Sequence, residues 1–142
     1  MKLLLLRVSL TLLVAQMSFL SFGQTTITQQ LNPEEIADRI SNVYGNDFVL
    51  NNPTLVTAFG EVMTQRIEYR MIEQNPDEKY TLLSSFSLNT KVNEAIQGVN
   101  PENFNVNGFN PLAYLIEFFS DKAQLIRIDN TDYVMVIHPR NY

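Results

Sequence analysis

Five Asn-Pro pairs, at 32, 52, 75, 100 and 110, limit the length of nearly every element this chain can build. Proline fixes its own φ, lacks an N–H, and drives the residue before it out of the helical region. The asparagine side chain meanwhile caps the free N–H groups that open a helix. Each pair therefore punctuates the chain, and those at 32, 52, 100 and 110 start a helical turn with proline in first position. The lengths and patterns between the pairs differ, so they punctuate the chain and do not mark a repeat.

The first pair opens a helix. Glu34 and Glu35 place two acids in its first turn against the positive dipole end, and Leu31 and Ile36 are spaced as a hydrophobic staple. Ile36, Ile40, Val43 and Tyr44 form its apolar stripe, and Gly45 is expected to end it in the left-handed conformation. Asn46 to Asn51 reads as a connector, with Phe48, Val49 and Leu50 tucked against the core. The second pair opens the longest periodic stretch, predicted as a helix from Asn52 to Glu73 and antiparallel to the first. Leu55, Val56, Phe59, Val62 and Met63 make its stripe, and Gly60 marks a close helix crossing.

In the rear half of that stretch, Arg66 and Arg70 occupy the centre of the stripe. Three readings follow. The helix runs past the core and both arginines are solvated, with Glu73 near Arg70. Or they are partly buried and paired with Glu117, Asp121 or Glu78. Or, with Tyr69 and the neighbouring apolar side chains, Arg66 and Arg70 form an anion site or an interface hot spot.

Asn75 to Asn110 is the least regular region. Tyr80 to Leu88 suits a short extended strand, Asn89 to Ile96 one or two helical turns, and Asn105 to Asn110 a loop pinned by Phe104, Val106 and Phe109. The last pair predicts a short helix from Pro111 to Phe119, with Leu112, Leu115, Ile116 and Phe119 on one side. Ala123 to Ile128 and Tyr133 to His138 flank Asp129-Asn130-Thr131-Asp132 and predict an antiparallel hairpin. Its turn places Ile126 opposite Met135 and Gln124 opposite Ile137. The fold class expected is α+β: a helical hairpin, an irregular middle, a short helix and a C-terminal β-hairpin with a possible third strand.

Residues 1–23 read as a cleaved signal peptide. Lys2 and Arg7 precede an apolar run from Val8 to Leu20, and Ser21-Phe22-Gly23 suits a signal peptidase. Residues 24–142 are then one small globular domain, and no stable membrane span remains. The chain has no cysteine, which excludes a lipid anchor on that residue and leaves the core without disulfides. Removing Lys2 and Arg7 leaves eight basic residues against fifteen acidic ones, which argues against nucleic acid as a partner. The absence of cysteine and of glycosylation acceptors fits an exported bacterial protein, periplasmic or secreted.

Catalytic signatures are sparse. His138 is the single histidine, which leaves zinc sites and a Ser-His pair without support. Asp129, Asn130 and Asp132 lack EF-hand spacing, and turn chemistry accounts for them. Glu61 and Glu68, two helical turns apart, are too widely spaced for a retaining glycosidase pair. The expectation is therefore a non-catalytic interaction or structural module of the cell envelope, without cofactor or metal and with another envelope protein as partner. A binding protein for a small anionic or amphipathic ligand, using Arg66, Arg70 and Tyr69, is the alternative, and a small hydrolase the second.

Overall fold

The computed structural model describes residues 25–72 and 79–140. The expected signal segment, Glu73, the Asn75-Pro76 pair and Glu78 lie outside them. The architecture is α+β, with helices against a mixed five-stranded sheet.

Helix α1 spans Pro33–Tyr44 with the full reciprocal cap: Asn32 Oδ1 accepts from Glu35 N–H and Glu35 returns to the Asn32 N–H. It ends at Gly45 with φ 88° and ψ 158°, an extended positive-φ conformation open to glycine and not the left-handed helical one expected. Asn46–Asn51 is a short helix, α2, rather than a connector, and Leu50 on it is 78% exposed. Helix α3 covers Pro53–Glu61, and Gly60 closes on Ile36 of α1, whose methyl lies 3.4 Å from where a Cβ would stand.

The predicted long helix does not continue. After Glu61 the backbone passes through a π-helical turn, Val62–Arg66, and directly into a strand, Ile67–Met71. The reason is a change of period. Ile67 and Tyr69 are buried while Glu68 and Arg70 are not, an alternation that suits a strand and would scatter around a helix. Two arginines at stripe positions were the trace of that switch.

Numbered in chain order, the strands are β1 (Thr26–Ile27), β2 (Ile67–Met71), β3 (Thr81–Leu82), β4 (Gln124–Arg127) and β5 (Tyr133–Ile137). Their order across the sheet is β1-β2-β5-β4-β3, with β3 parallel to β4 and the other pairs antiparallel. β1 pairs Ile27 with Tyr69 and Thr26 with Arg70. β4 and β5 pair Ile126 with Met135 and Gln124 with Ile137 around a loop in which Asn130 takes φ 56°. The third strand expected within Tyr80 to Leu88 is only Thr81–Leu82, followed by a 3-10 turn. The helix expected from Pro111 to Phe119 is one 3-10 turn, Pro111–Ala113, and Asn89 to Ile96 holds no helix. Leu115, on that helix's expected buried side, is 58% exposed.

One face of the sheet carries Ile67, Tyr69, Ile126, Met135 and Ile137, and packs with Ile40 and Val43 of α1 and Phe59, Val62 and Met63. The other presents Glu68 and Arg70 beside Val136 and Val134 of β5. Behind Tyr69 a polar network ties three segments together. Gln29 Nε2 donates to the carbonyls of Val106 and, at 2.7 Å, Phe109, while its Oε1 accepts from Arg39 at 3.2 Å. Arg39 also donates to the carbonyls of Phe109 and Asn107, and its own carbonyl accepts from Asn110 Nδ2 at 3.0 Å. Gln29 is 2% exposed, so these bonds replace water that it has lost.

The Tyr69 hydroxyl, buried beside this network, has no hydrogen-bond partner among the described residues. Burial pushes its ionisation well above the ordinary tyrosine value, and the Arg39 charge offsets part of this. Gln29→Ala should therefore destabilise the protein by about 2 kcal/mol, because it strands buried partners. Tyr69→Phe should leave stability unchanged or raise it by about 1 kcal/mol, because it removes an unpaired buried hydroxyl. Urea unfolding followed by circular dichroism measures both. A marked loss in Tyr69→Phe would mean that the hydroxyl is hydrogen-bonded in solution.

Candidate functional site

Two places bring polar side chains together. The first holds the arginines singled out in the sequence. Arg66, last residue of the π turn, donates from Nε and Nη2 to the His138 carbonyl at 3.0 and 2.8 Å. The His138 N–H returns to the Arg66 carbonyl at 2.8 Å. Arg70 donates from Nε to Glu68 Oε1 at 2.7 Å and pairs with the same oxygen through Nη2, while Glu68 Oε2 lies 3.4 Å from His138 Nε2. A strand repeats every two residues, so Glu68 stands on the same face as Arg70. On a helix they would point apart, which is why Glu68 was not among the partners expected.

Tyr69 faces the opposite side of the sheet and is fully buried in the core. The structure thus joins Arg66, His138, Glu68 and Arg70 in one chain of contacts and separates Tyr69 from them. Two consequences concern the acids. The expected helical spacing of Glu61 and Glu68 does not exist, since the helix ends at Glu61. Asp129 in the β4–β5 loop accepts from the Ser84 N–H at 2.9 Å and the Ser84 hydroxyl at 2.6 Å, so it caps the turn Leu83–Ser85. Among the described residues no group of three or more His, Asp or Glu side chains is placed to hold a metal ion.

The second place is a cleft of about 480 Å³ between α1 and the segment 93–114. Three 3-10 turns build its wall: Pro101–Asn103, Val106–Gly108 and Pro111–Ala113. Each is opened by an asparagine whose Oδ1 accepts from the N–H two residues on: Asn100 from Glu102, Asn105 from Asn107, and Asn110 from Leu112, at 3.1, 2.8 and 3.2 Å. Phe104, Phe109 and Tyr114 supply the apolar part, with ring centres 5.6 Å apart for Phe104–Phe109 and 6.1 Å for Phe109–Tyr114. The facing segment is fixed at two points: Asn93 Nδ2 donates to the Asn42 carbonyl at 2.9 Å, and Val99 N–H donates to the Tyr114 hydroxyl at 2.8 Å. Burial raises the Tyr114 ionisation, more than the Val99 bond lowers it.

Every described residue lining this cleft is uncharged. Its amides are only partly used. The side chains of Asn42, Gln97 and Asn103 make no hydrogen bond among the described residues, and the Nδ2 groups of Asn100 and Asn105 donate to none. Its size is that of a small-ligand site. The sequence signal for this cleft is density: seven asparagines fall from Asn89 to Asn110. Comparison with protein-family models, with curated proteins and with solved structures finds no match. Among the described residues no helix is long and apolar enough to cross a membrane.

Hydrogen bonds from Arg70 and His138 hold the Glu68 carboxyl below its ordinary range, outweighing a desolvation that alone would raise it. Bonds from Ser84 do the same for Asp129, again against desolvation. A depressed carboxyl contributes stability above its unfolded-state pKa and loses it as the pH falls through the folded value. The urea midpoint should therefore be flat from pH 7 to 5 and fall below about pH 4. Glu68→Gln and Asp129→Asn should each flatten that acid limb. An unchanged limb in both variants would show that these bonds do not persist in solution.

Proposed function

We propose that this chain is a small exported module of the bacterial cell envelope that acts by binding rather than by catalysis, with the asparagine-lined cleft as its recognition surface. The observation that carries this reading is the uncharged lining. General acid–base and nucleophilic chemistry need a titratable or activated group within reach of the ligand. The titratable side chain in the described lining, Tyr114, has its hydroxyl bonded to the Val99 N–H and its ionisation pushed up by burial. Recognition needs only placed donors, acceptors and apolar surface. Fixed turns and partly used amides supply those. The N-terminal pattern of Lys2, Arg7 and the apolar run to Leu20 supports export to the periplasm or beyond.

Binding of a small anionic or amphipathic ligand by Arg66 and Arg70 is the weaker reading. Arg70 already faces Glu68, and Arg66 is bonded to the His138 carbonyl. A hydrolase has less support still, since Glu68 is tied to Arg70 and His138, and Asp129 to Ser84.

Two measurements test the proposal. The full chain with a C-terminal tag, expressed in a bacterium with two membranes, should be recovered outside the cytoplasm with residues 1–23 removed. Retention in the cytoplasm at full mass would refute export. The purified protein should show no turnover of chromogenic ester, phosphate, glycoside or peptide substrates. Turnover that co-purifies with the protein and is lost in a Glu68→Gln or Asp129→Asn variant would refute the binding-only reading.

A further inference from the structure

From the chemistry of the cleft we infer that its ligand is a neutral oligosaccharide, held side-on by amide side chains against the Phe104 ring. This rests on the reading of the cleft as a recognition surface and names what it recognises. Three observations carry it.

The first is charge. None of the charged residues among those described lies in this lining, so a charged ligand would meet no counter-ion from them there. The second is the type of polar group on offer. A carboxamide presents a donor and an acceptor side by side, and each sugar hydroxyl is itself both donor and acceptor. Gln97 and Asn103 have both ends of the amide uncommitted among the described residues, and Asn100 and Asn105 have the donor end. Half-buried Phe104, with Ile96 and Val99 beside it in the lining, gives a sugar ring's C–H face an apolar surface. Asn42, Gln97, Asn103 and Asn105 are exposed, which leaves the cleft open along its lip for a chain to continue past it.

The third observation separates a saccharide from an extended peptide. Peptides bound as added strands gain affinity from free main-chain N–H and C=O groups. Here the described wall contains no strand for a peptide to extend, and part of its main-chain donors are already used, although those of Gln97, Gly98, Asn100, Asn105 and Asn110 make no hydrogen bond among the described residues. Val99 N–H goes to the Tyr114 hydroxyl, Asn103 to the Asn100 carbonyl, Phe104 to Pro101, Gly108 to Asn105 and Phe109 to Val106. Without a sheet edge, recognition falls chiefly to side-chain amides, whose paired donor and acceptor suit the hydroxyl groups of a sugar.

Gly108 provides the means to test this. It lines the cleft, nothing lies within 4 Å of the position a Cβ would take, and its φ is not positive. A large side chain there has room without strain, so Gly108→Trp should fill the cleft and leave folding intact. The experiment titrates the mature protein, 15N-labelled, with linear tetrasaccharides of glucose, mannose and N-acetylglucosamine, with a tetrasaccharide of uronic acids, and with an end-blocked neutral tetrapeptide. At least one neutral saccharide should shift the side-chain amide signals of Gln97 and Asn103. Gly108→Trp, and separately the double variant Gln97→Ala with Asn103→Ala, should weaken that binding at least tenfold, with the double variant deciding should Gly108→Trp not fold. The uronic acid chain should bind more weakly than its neutral counterpart. Preference for the peptide or the uronic acid chain, or saccharide binding that survives both variants, overturns the assignment of ligand class while leaving a binding cleft. If no compound shifts any cleft signal, the saccharide assignment is overturned, and the reading of the cleft as a recognition surface loses its support.

Discussion

The junction between the last helix and the central part of the sheet is pinned by a two-way clamp. Arg66 donates its guanidinium to the His138 carbonyl, and the His138 N–H donates back to the Arg66 carbonyl. Because α3 reaches β2 through five residues of π turn with no loop, this clamp fixes where β2 begins against β5. A slip of one residue would turn Tyr69 and Ile67 outward and bring Glu68 and Arg70 into the core. The register that buries Ile67, Tyr69, Met135 and Ile137 on one face therefore depends on a polar contact at the end of the strands.

The irregular segment that follows owes its order to side chains rather than to ladders. Its 3-10 turns are too short to hold themselves, and each is closed by the asparagine that opens it. Gln29 and Arg39 then bind the carbonyls of Val106, Asn107 and Phe109, so the loop is fixed at once to α1 and to the segment between β1 and α1. A cleft wall held in this way has its backbone fixed by side chains from two other segments. In Asn100 and Asn105 one end of the amide closes the turn and the other makes no bond among the described residues, while in Asn110 the second end donates to the Arg39 carbonyl.

Much of the fold could be read from local pattern. The Asn32 cap and the Ile36–Tyr44 stripe specify α1, and the alternation around Asp129 to Asp132 specifies the pairing of β4 with β5. The long helix could not be separated from a helix followed by a strand, because Ile67, Tyr69 and Met71 are too few to establish a period of two against a stripe already begun. The helix expected after Pro111 failed for a related reason. Its apolar residues had helical spacing, yet Ile116 and Phe118 are buried and Leu115 is exposed, so alternate positions face the core. Of the candidate site, Arg66 and Arg70 were visible as anomalies, but their partners His138 and Glu68 depend on the strand geometry that was missed.

By itself the sequence determined where α1, α3 and the 3-10 turns at Pro101 and Pro111 begin, which side of α1 is buried, and the net negative charge. Those properties follow from single residues and short spacings. Only the tertiary structure decided that β2 lies beside β5, that Tyr69 and the arginines part company, and that asparagines scattered over 42–110 line one cleft. These depend on contacts between residues far apart in the chain, such as Gln29 with Phe109 and Arg66 with His138, and no local periodicity encodes which distant carbonyl a side chain will find.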